Sequence, residues 1–252
     1  MNEPASAACL GRVLGVLYVG DVLDAGCGSG SFTRTLADML GGARSIVGID
    51  PDKDSVDEAR RLTDDHRVRY RVLEAGDAPF GDDRFDLVAI SNALHHLDDP
   101  QAVLADLRRV ARPGGYLVVQ ELVCDGLSPA ERNGRDVHHF KARIDRLHGR
   151  SHQPTLARGE VRDLIASSGA FVEEECEICD PAGGAGDDDD RERVDEAIAF
   201  LGEYLPFAEG GADYDELARE ARRLASELSR YGIATPPRLL IRARYPRAAR
   251  RG

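Results

Sequence analysis

The nine residues Val22-Leu23-Asp24-Ala25-Gly26-Cys27-Gly28-Ser29-Gly30 constrain the fold more than any other segment. Val22 to Ala25 is a short, continuous apolar run that reads as a strand buried on both faces, and three alternating glycines turn the chain after it. Ser31 to Leu40 then sets Phe32, Leu36, Met39 and Leu40 at helical spacing, closed by Gly41-Gly42. Glycine at 26, 28 and 30 lets the backbone approach a ligand where a Cβ would stand in the way. The amides of such a turn, with the helix N-terminus behind it, favour an acceptor or negative group. A merely tight turn would account for one or two of these glycines, not for three behind an acid.

The pattern continues as alternating strands and helices. Ile46 to Ile49 reads as a second strand, Asp52 to Thr63 as a helix with Val56, Ala59 and Leu62 on one face, and Val68 to Leu73 as a third strand. Phe85 to Ile90 is a fourth, Pro100 to Ala111 a helix, Pro113-Gly114-Gly115 a turn and Tyr116 to Val123 a fifth strand. Strands joined this way predict an α/β fold: a doubly wound, mostly parallel sheet covered on both faces, with its ligand beyond the carboxyl ends of the strands.

The second half is more polar. Ser128 to Gly149 reads as a histidine-rich helical stretch, Thr155 to Ser168 as a helix opened by Thr155, and Ala170 to Cys179 as a sixth strand. Pro181 to Asp190 reads as a mobile loop, Glu192 to Leu205 and Tyr214 to Tyr231 as helices, and Leu239 to Ala243 as a final strand. The expected division is an N-terminal helical segment (1–20), a core (21–123), a helical lid insertion (124–154), a core helix and strand (155–180), a second helical lid insertion (181–236), and a final strand with a basic tail (237–252).

Composition excludes several classes. Across 252 residues, 42% hydrophobic content with no glycine period rules out a disordered or collagen-like chain. A formal net charge of -12 makes a polyanion an unfavourable partner, so neither nucleic acid nor a membrane surface is expected. The basic stretch Arg238 to Arg251 reads as a solvated end. Ala5 to Val19 is too short to span a bilayer and lacks the basic start of a secretory signal. Five scattered cysteines, Cys9, Cys27, Cys124, Cys176 and Cys179, read as reduced thiols in a cytoplasmic protein. Cys176 and Cys179 fall on the sixth strand, where residues three apart point to opposite faces.

A dinucleotide fingerprint would need a third glycine at position 31, which is serine. With G-x-G-x-G spacing the chain instead resembles the class I S-adenosylmethionine-dependent methyltransferases, in the small-molecule branch that includes the quinone-biosynthesis enzymes. The resemblance runs from Asp24 to Gly30 through Gly48-Ile49-Asp50, Gly76-Asp77-Ala78-Pro79-Phe80 and Phe85-Asp86-Leu87-Val88. It continues through Asn92-Ala93-Leu94-His95-His96 to Arg112-Pro113-Gly114-Gly115, in the family's order. It implies a Rossmann-like seven-stranded sheet, its last two strands an antiparallel hairpin at the edge, with helical lid insertions. It also implies S-adenosyl-L-methionine as cofactor.

On that resemblance Gly26, Cys27, Gly28 and Gly30 form the cofactor turn, and Asp50 accepts both ribose hydroxyls. Asp50 could otherwise cap the following helix. Asp77 and the Ala78 amide would meet the adenine, Pro51 would pack on its ring, and Asp24 and Asn92 would lie at the methionine end. The partner expected is a small-molecule methyl acceptor, and the oligomeric state is left open. Candidates for handling the acceptor are His95 and His96 after the fourth strand, and His138 and His139 in the insertion. His138 and Asp145, seven apart, share a helix face. His148 and His152 have a metal-ligand spacing, but Gly149 and Pro154 interrupt the helix, and no metal is assigned. A cofactor-binding protein without turnover, and a nucleotide-dependent oxidoreductase with a degenerate turn, are the alternatives.

Overall fold

A computed structural model describes residues 5–77, 79–179 and 187–247. Met1 to Pro4, Ala78, the greater part of the Pro181–Asp190 loop and the tail beyond Arg247 lie outside the described residues.

Seven strands form one sheet: β1 (Asp21–Ala25), β2 (Ser45–Asp50), β3 (Val68–Val72), β4 (Phe85–Ser91), β5 (Ala111–Leu122), β6 (Phe171–Ile178) and β7 (Arg238–Arg244). Their order is β3-β2-β1-β4-β5-β7-β6. The first five pair in parallel; β7 lies antiparallel between β5 and β6. The expected antiparallel pair is present, with β6 at the edge. The order reverses beside β1, which brings the ends of β1 and β4 to the ligand end of the sheet.

Eight helices complete the described chain: α1 (Ala5–Val13), α2 (Ser31–Met39), α3 (Lys53–Leu62), α4 (Pro100–Val110), α5 (Pro129–Leu147), α6 (Arg158–Ser167), α7 (Asp187–Tyr204) and α8 (Tyr214–Tyr231). Successive strand residues point to opposite faces, so neighbours in sequence join different cores. Leu23, Val88, Val119 and Ile241 pack with Leu104 and Leu107 of α4 and Ile165 of α6. Val22, Leu87, Val118 and Leu240 pack with Val13 of α1, Leu36 of α2 and Val56 of α3. A third core, with Phe140 and Ile144 of α5, Leu201 of α7 and Leu224 and Leu228 of α8, joins the insertions to one another.

Several expectations need correction. Thr155 does not open α6; Glu160 accepts from the Ala157 amide instead, 2.7 Å away. The run Asp187–Asp190 belongs to α7 rather than to a loop. Pro113-Gly114-Gly115 does not end an element: Ala111 pairs with Phe85 and Tyr116 with Leu87, so the intervening residues bulge within β5. Cys9 and Cys176 are not reduced thiols but a disulfide tying α1 to β6. Cys179 lies beyond the end of β6.

Two of the motif segments serve the opposite end of the sheet. Asp86 Oδ2 accepts from the Gly20 and Asp21 amides, both at 2.9 Å, and its other oxygen pairs with Arg112. Burial would raise the Asp86 carboxyl, but these donors hold it below the usual carboxylate range. The edge strand β6 carries Glu173, Glu174, Glu175 and Glu177, each paired with an arginine, which discourages another strand from adding there.

Candidate active site

The turn after β1 is built by its backbone. Gly26, Gly28 and Gly30 all have positive φ, at 69°, 50° and 80°. The three serve different ends. A Cβ on Gly26 would come within 2.7 Å of the Ala93 Cβ, while at Gly28 it would meet open space. At Gly30 it would run into the Tyr70 hydroxyl, so this glycine admits a core side chain rather than a ligand.

Asp50 ends β2 beside this turn. Its Oδ2 accepts from the Gly28 amide and its Oδ1 from the Asp52 amide, each at 2.9 Å. Asp52, not Asp50, caps α3, accepting from Asp54 and Ser55. Each Asp50 oxygen keeps a further lone pair, so the carboxylate remains able to accept from a diol.

Asp24 is fully buried in β1 and accepts from Thr33 Oγ1 at 2.5 Å. Burial above all pushes its carboxyl up to about 7; Thr33 opposes this and Asp50 adds to it. Its other oxygen has no hydrogen-bond partner among the described residues. Neither has the buried Oδ1 of Asn92, whose backbone is held at a φ of 49° with its amide donating to the Gln120 carbonyl at 2.7 Å. Two buried acceptors without donors fit a ligand that brings an ammonium.

A cavity of about 1190 Å³ opens here, its wall including Gly26, Cys27, Gly28, Asp50, Pro51 and Asn92. Asp24 and Gly30 lie behind the wall. Asp77 is exposed in the turn Ala75–Asp77, and the wall at that point is Glu74 and Ala75. Ala78 is outside the described residues.

His96, His152, Lys141 and Asp145 close the same cavity at its other end. His95 is buried, its Nδ1 donating to Glu121 Oε1 at 2.8 Å. Glu121 is itself fully buried and accepts from the Leu94 amide through Oε2 at 2.9 Å. His152 Nδ1 donates to Asp145 Oδ2 at 2.7 Å, and its Nε2 lies 3.1 Å from His138 Nε2. Desolvation by the protein packed around the rings first, and neighbouring imidazoles second, push His96, still open on its cavity side, down to about 4 and His138 down to about 3. Burial would raise Asp145, but donation from Lys141, Tyr204 and His152 holds it well below the carboxylate range.

Of the four histidines expected to handle an acceptor, three thus meet. His139 turns away, its Nε2 accepting from the Thr155 amide at 3.0 Å. Helix α5 ends at Leu147 and Gly149 has φ of 73°, so His148 bonds the Phe207 carbonyl while His152 folds back to the cluster. Sequence reasoning missed Glu121. The signal available was a Gln120-Glu121 pair inside an otherwise apolar strand, at its carboxyl end.

The family profile of a methyltransferase domain matches residues 23–119. Among curated proteins, a demethylmenaquinone methyltransferase of Tropheryma whipplei is 36% identical over 168 residues, 66% of this chain and 61% of the relative. The O-methyltransferase resE of Aspergillus sclerotiorum is 30% identical over 164 residues, 63% of this chain and 58% of that one. Residues 23–119 thus match a methyltransferase domain, and the chain is similar to methyltransferases over that stretch and the residues around it.

The chain spans between 31% and 61% of the length of these and the other leading curated relatives. Solved structures of the same fold include an S-adenosylmethionine-dependent methyltransferase from Mesorhizobium loti, with a TM-score of 0.52 and 21% identity over 91% of this chain and 94% of that one. They also include the [4+2]-cyclase SpnF, with a TM-score of 0.57 and 17% identity over 95% of this chain and 80% of that one. The fold is therefore shared by different chemistries, and the site has to carry the functional argument. Among the described residues no helix is long and apolar enough to cross a membrane.

Proposed function

We propose that this protein transfers a methyl group from S-adenosyl-L-methionine to a small organic acceptor bound against the histidine wall. The observation that carries this is the single cavity running from the glycine turn to His96 and His152. The turn amides and Asp50 would hold the nucleoside end, Pro51 and Ala75 the base, and Asn92 with Asp24 behind it the methionine ammonium. Asp77 and Ala78 would complete the adenine contacts by resemblance.

When bound, the cofactor supplies an electrophilic methyl group on a sulfonium sulfur. The chain's own task is to hold an acceptor atom in line with it and to exclude water, and such positioning supplies much of the rate gain. Ser91, hydrogen-bonded to Gln120 at 3.0 Å, and Ala93 join the two ends of the cavity wall. The neutral rings of His96 and His152 line the acceptor end of the cavity. The curated relatives named as an O-methyltransferase and as a demethylmenaquinone methyltransferase support a small organic acceptor. No nucleic acid or membrane partner is part of this reading.

Calorimetric titration with S-adenosylhomocysteine, followed by a screen of hydroxylated aromatic acceptors with labelled cofactor, tests it. Binding and label transfer are expected. Absence of binding removes the cofactor reading; binding without transfer to any acceptor favours a cofactor-binding protein without turnover. A nicotinamide cofactor binding in its place would favour the oxidoreductase alternative.

A further inference from the structure

The histidine wall is organised beyond what contact with an organic acceptor requires. One ring nitrogen from each of His95, His96 and His152 lies within 4.8 Å of the other two. His138 adds a fourth ring, its centroid 4.8 Å from that of His152 and 5.1 Å from that of His95.

Two of the rings are fixed from behind by carboxylates. Glu121 takes the Nδ1 hydrogen of His95, and Asp145 takes that of His152. A neutral imidazole with hydrogen on Nδ1 has a bare lone pair on Nε2. The Nε2 of His95, in a residue only 2% exposed, has no partner among the described residues. Carboxylates behind imidazoles, fixing the tautomer and aiming the opposite nitrogen, are the second layer of metal sites.

We propose that His95, His96 and His152, with His138 beside them, bind a divalent transition metal, Zn²⁺ being the best match, in the wall of the large cavity. Three imidazoles with one position left open is an arrangement that suits zinc acting on a substrate. Two nitrogens on a tetrahedral Zn²⁺ stand about 3.3 Å apart, and the three proposed ligand nitrogens already lie within 4.8 Å of one another. His96 is exposed and closes on the others by side-chain rotation. Glu121 and Asp145 supply two negative charges behind the ligands, and the cations Lys141 and Arg150 are both paired with Asp145.

The ion's role, though not its binding, rests on the methyltransferase reading. Its open position faces the cavity and takes the oxygen of a hydroxylated acceptor, lowering that hydroxyl's pKa. The proton leaves to solvent, the oxygen pair bonds the methyl carbon, and the sulfur–methyl bond breaks with its electrons on sulfur.

The test uses the full chain without a histidine tag, stripped with chelator and titrated with Zn²⁺ and then Co²⁺. Elemental analysis and the visible d–d bands of Co²⁺ are the readouts, and S-adenosylhomocysteine affinity is measured on the same samples. About one ion per chain is expected. His96→Ala and His152→Ala should each lose at least about 100-fold in affinity, and Glu121→Gln about 10–100-fold, while His66→Ala, 93% exposed at its side chain, should lose none. No stoichiometric uptake, or uptake undiminished in His96→Ala, overturns the site. His96 is exposed, so that variant keeps the test decisive even if His152→Ala fails to fold. S-adenosylhomocysteine binding without metal uptake sinks the metal site alone; metal uptake without S-adenosylhomocysteine binding supports it and sinks the cofactor reading.

Discussion

The two ends of the cavity are made in different ways. The glycine turn is local: Gly26 to Gly30 are contiguous, the cofactor contacts proposed for it are backbone amides, and Asp50 reaches it across one neighbouring strand. The histidine wall is assembled from the end of β4, the end of β5, the face of α5 and the loop after it, so that His95, Glu121, His138, Asp145 and His152 meet only in the folded chain. A site made of backbone tolerates side-chain change except where a Cβ collides. A site made of side chains held by buried carboxylates fails when one support is removed.

The largest expected effect lies behind the turn. Asp24 keeps its proton to about pH 7 in the folded chain, against 3.8 for an unperturbed aspartate. Its contribution to stability is complete below the lower value and is lost as pH rises through the upper one. Relative to Asp24→Asn, the unliganded protein should therefore lose on the order of 4 kcal/mol between those limits. Denaturant midpoints measured across that range check it, and parallel curves for the two proteins would show that Asp24 is not the group concerned. A ligand ammonium reverses the sense, so S-adenosylhomocysteine affinity should rise with pH through 7 in the wild type and stay level in Asp24→Asn.

Next comes the wall. Glu121→Ala leaves the Leu94 amide and His95 Nδ1 buried without their acceptor, and should cost about 3 kcal/mol in unfolding free energy. A loss under about 0.5 kcal/mol would mean that water replaces the carboxylate, and the contrast between the two ends would weaken. Asp50→Ala should leave the chain folded but reduce S-adenosylhomocysteine affinity about 100-fold, ~2.7 kcal/mol, by calorimetry. An unchanged affinity removes Asp50 from the site. Smaller again is the effect expected at Gly26→Ala, about 2 kcal/mol of stability from a left-handed φ and the contact with Ala93. Gly28→Ala, with the same handedness but open space, should cost less, so the difference between the two melting curves isolates the collision.

Particular residues show where reading the sequence succeeded. The strands β1, β2 and β4 were legible because both faces of a central strand are covered, which leaves continuous apolar runs such as Val22 to Ala25. The helix of α5 was legible in its polar period, and so was the shared face of His138 and Asp145, because seven residues are close to two turns. Glu160 in place of Thr155 at the start of α6, and the bulge within β5, were not legible: each depends on which neighbouring strand or loop the segment meets. The disulfide between Cys9 and Cys176 joins residues 167 positions apart, and no spacing rule reaches that far.

The order of residues alone determined the class of sheet, the position of the glycine turn at its ligand end, and the acid at the end of the second strand, because these follow from short-range periodicity and backbone freedom. Tertiary structure decided which histidines face one another, that Glu121 and Asp145 set their tautomers, that His139 is spent on Thr155, and that Gly30 makes room for Tyr70 rather than for a ligand. The reason is physical: a hydrogen bond or a steric contact between distant segments depends on how helices and loops pack over the sheet, and that packing is set by the whole core at once.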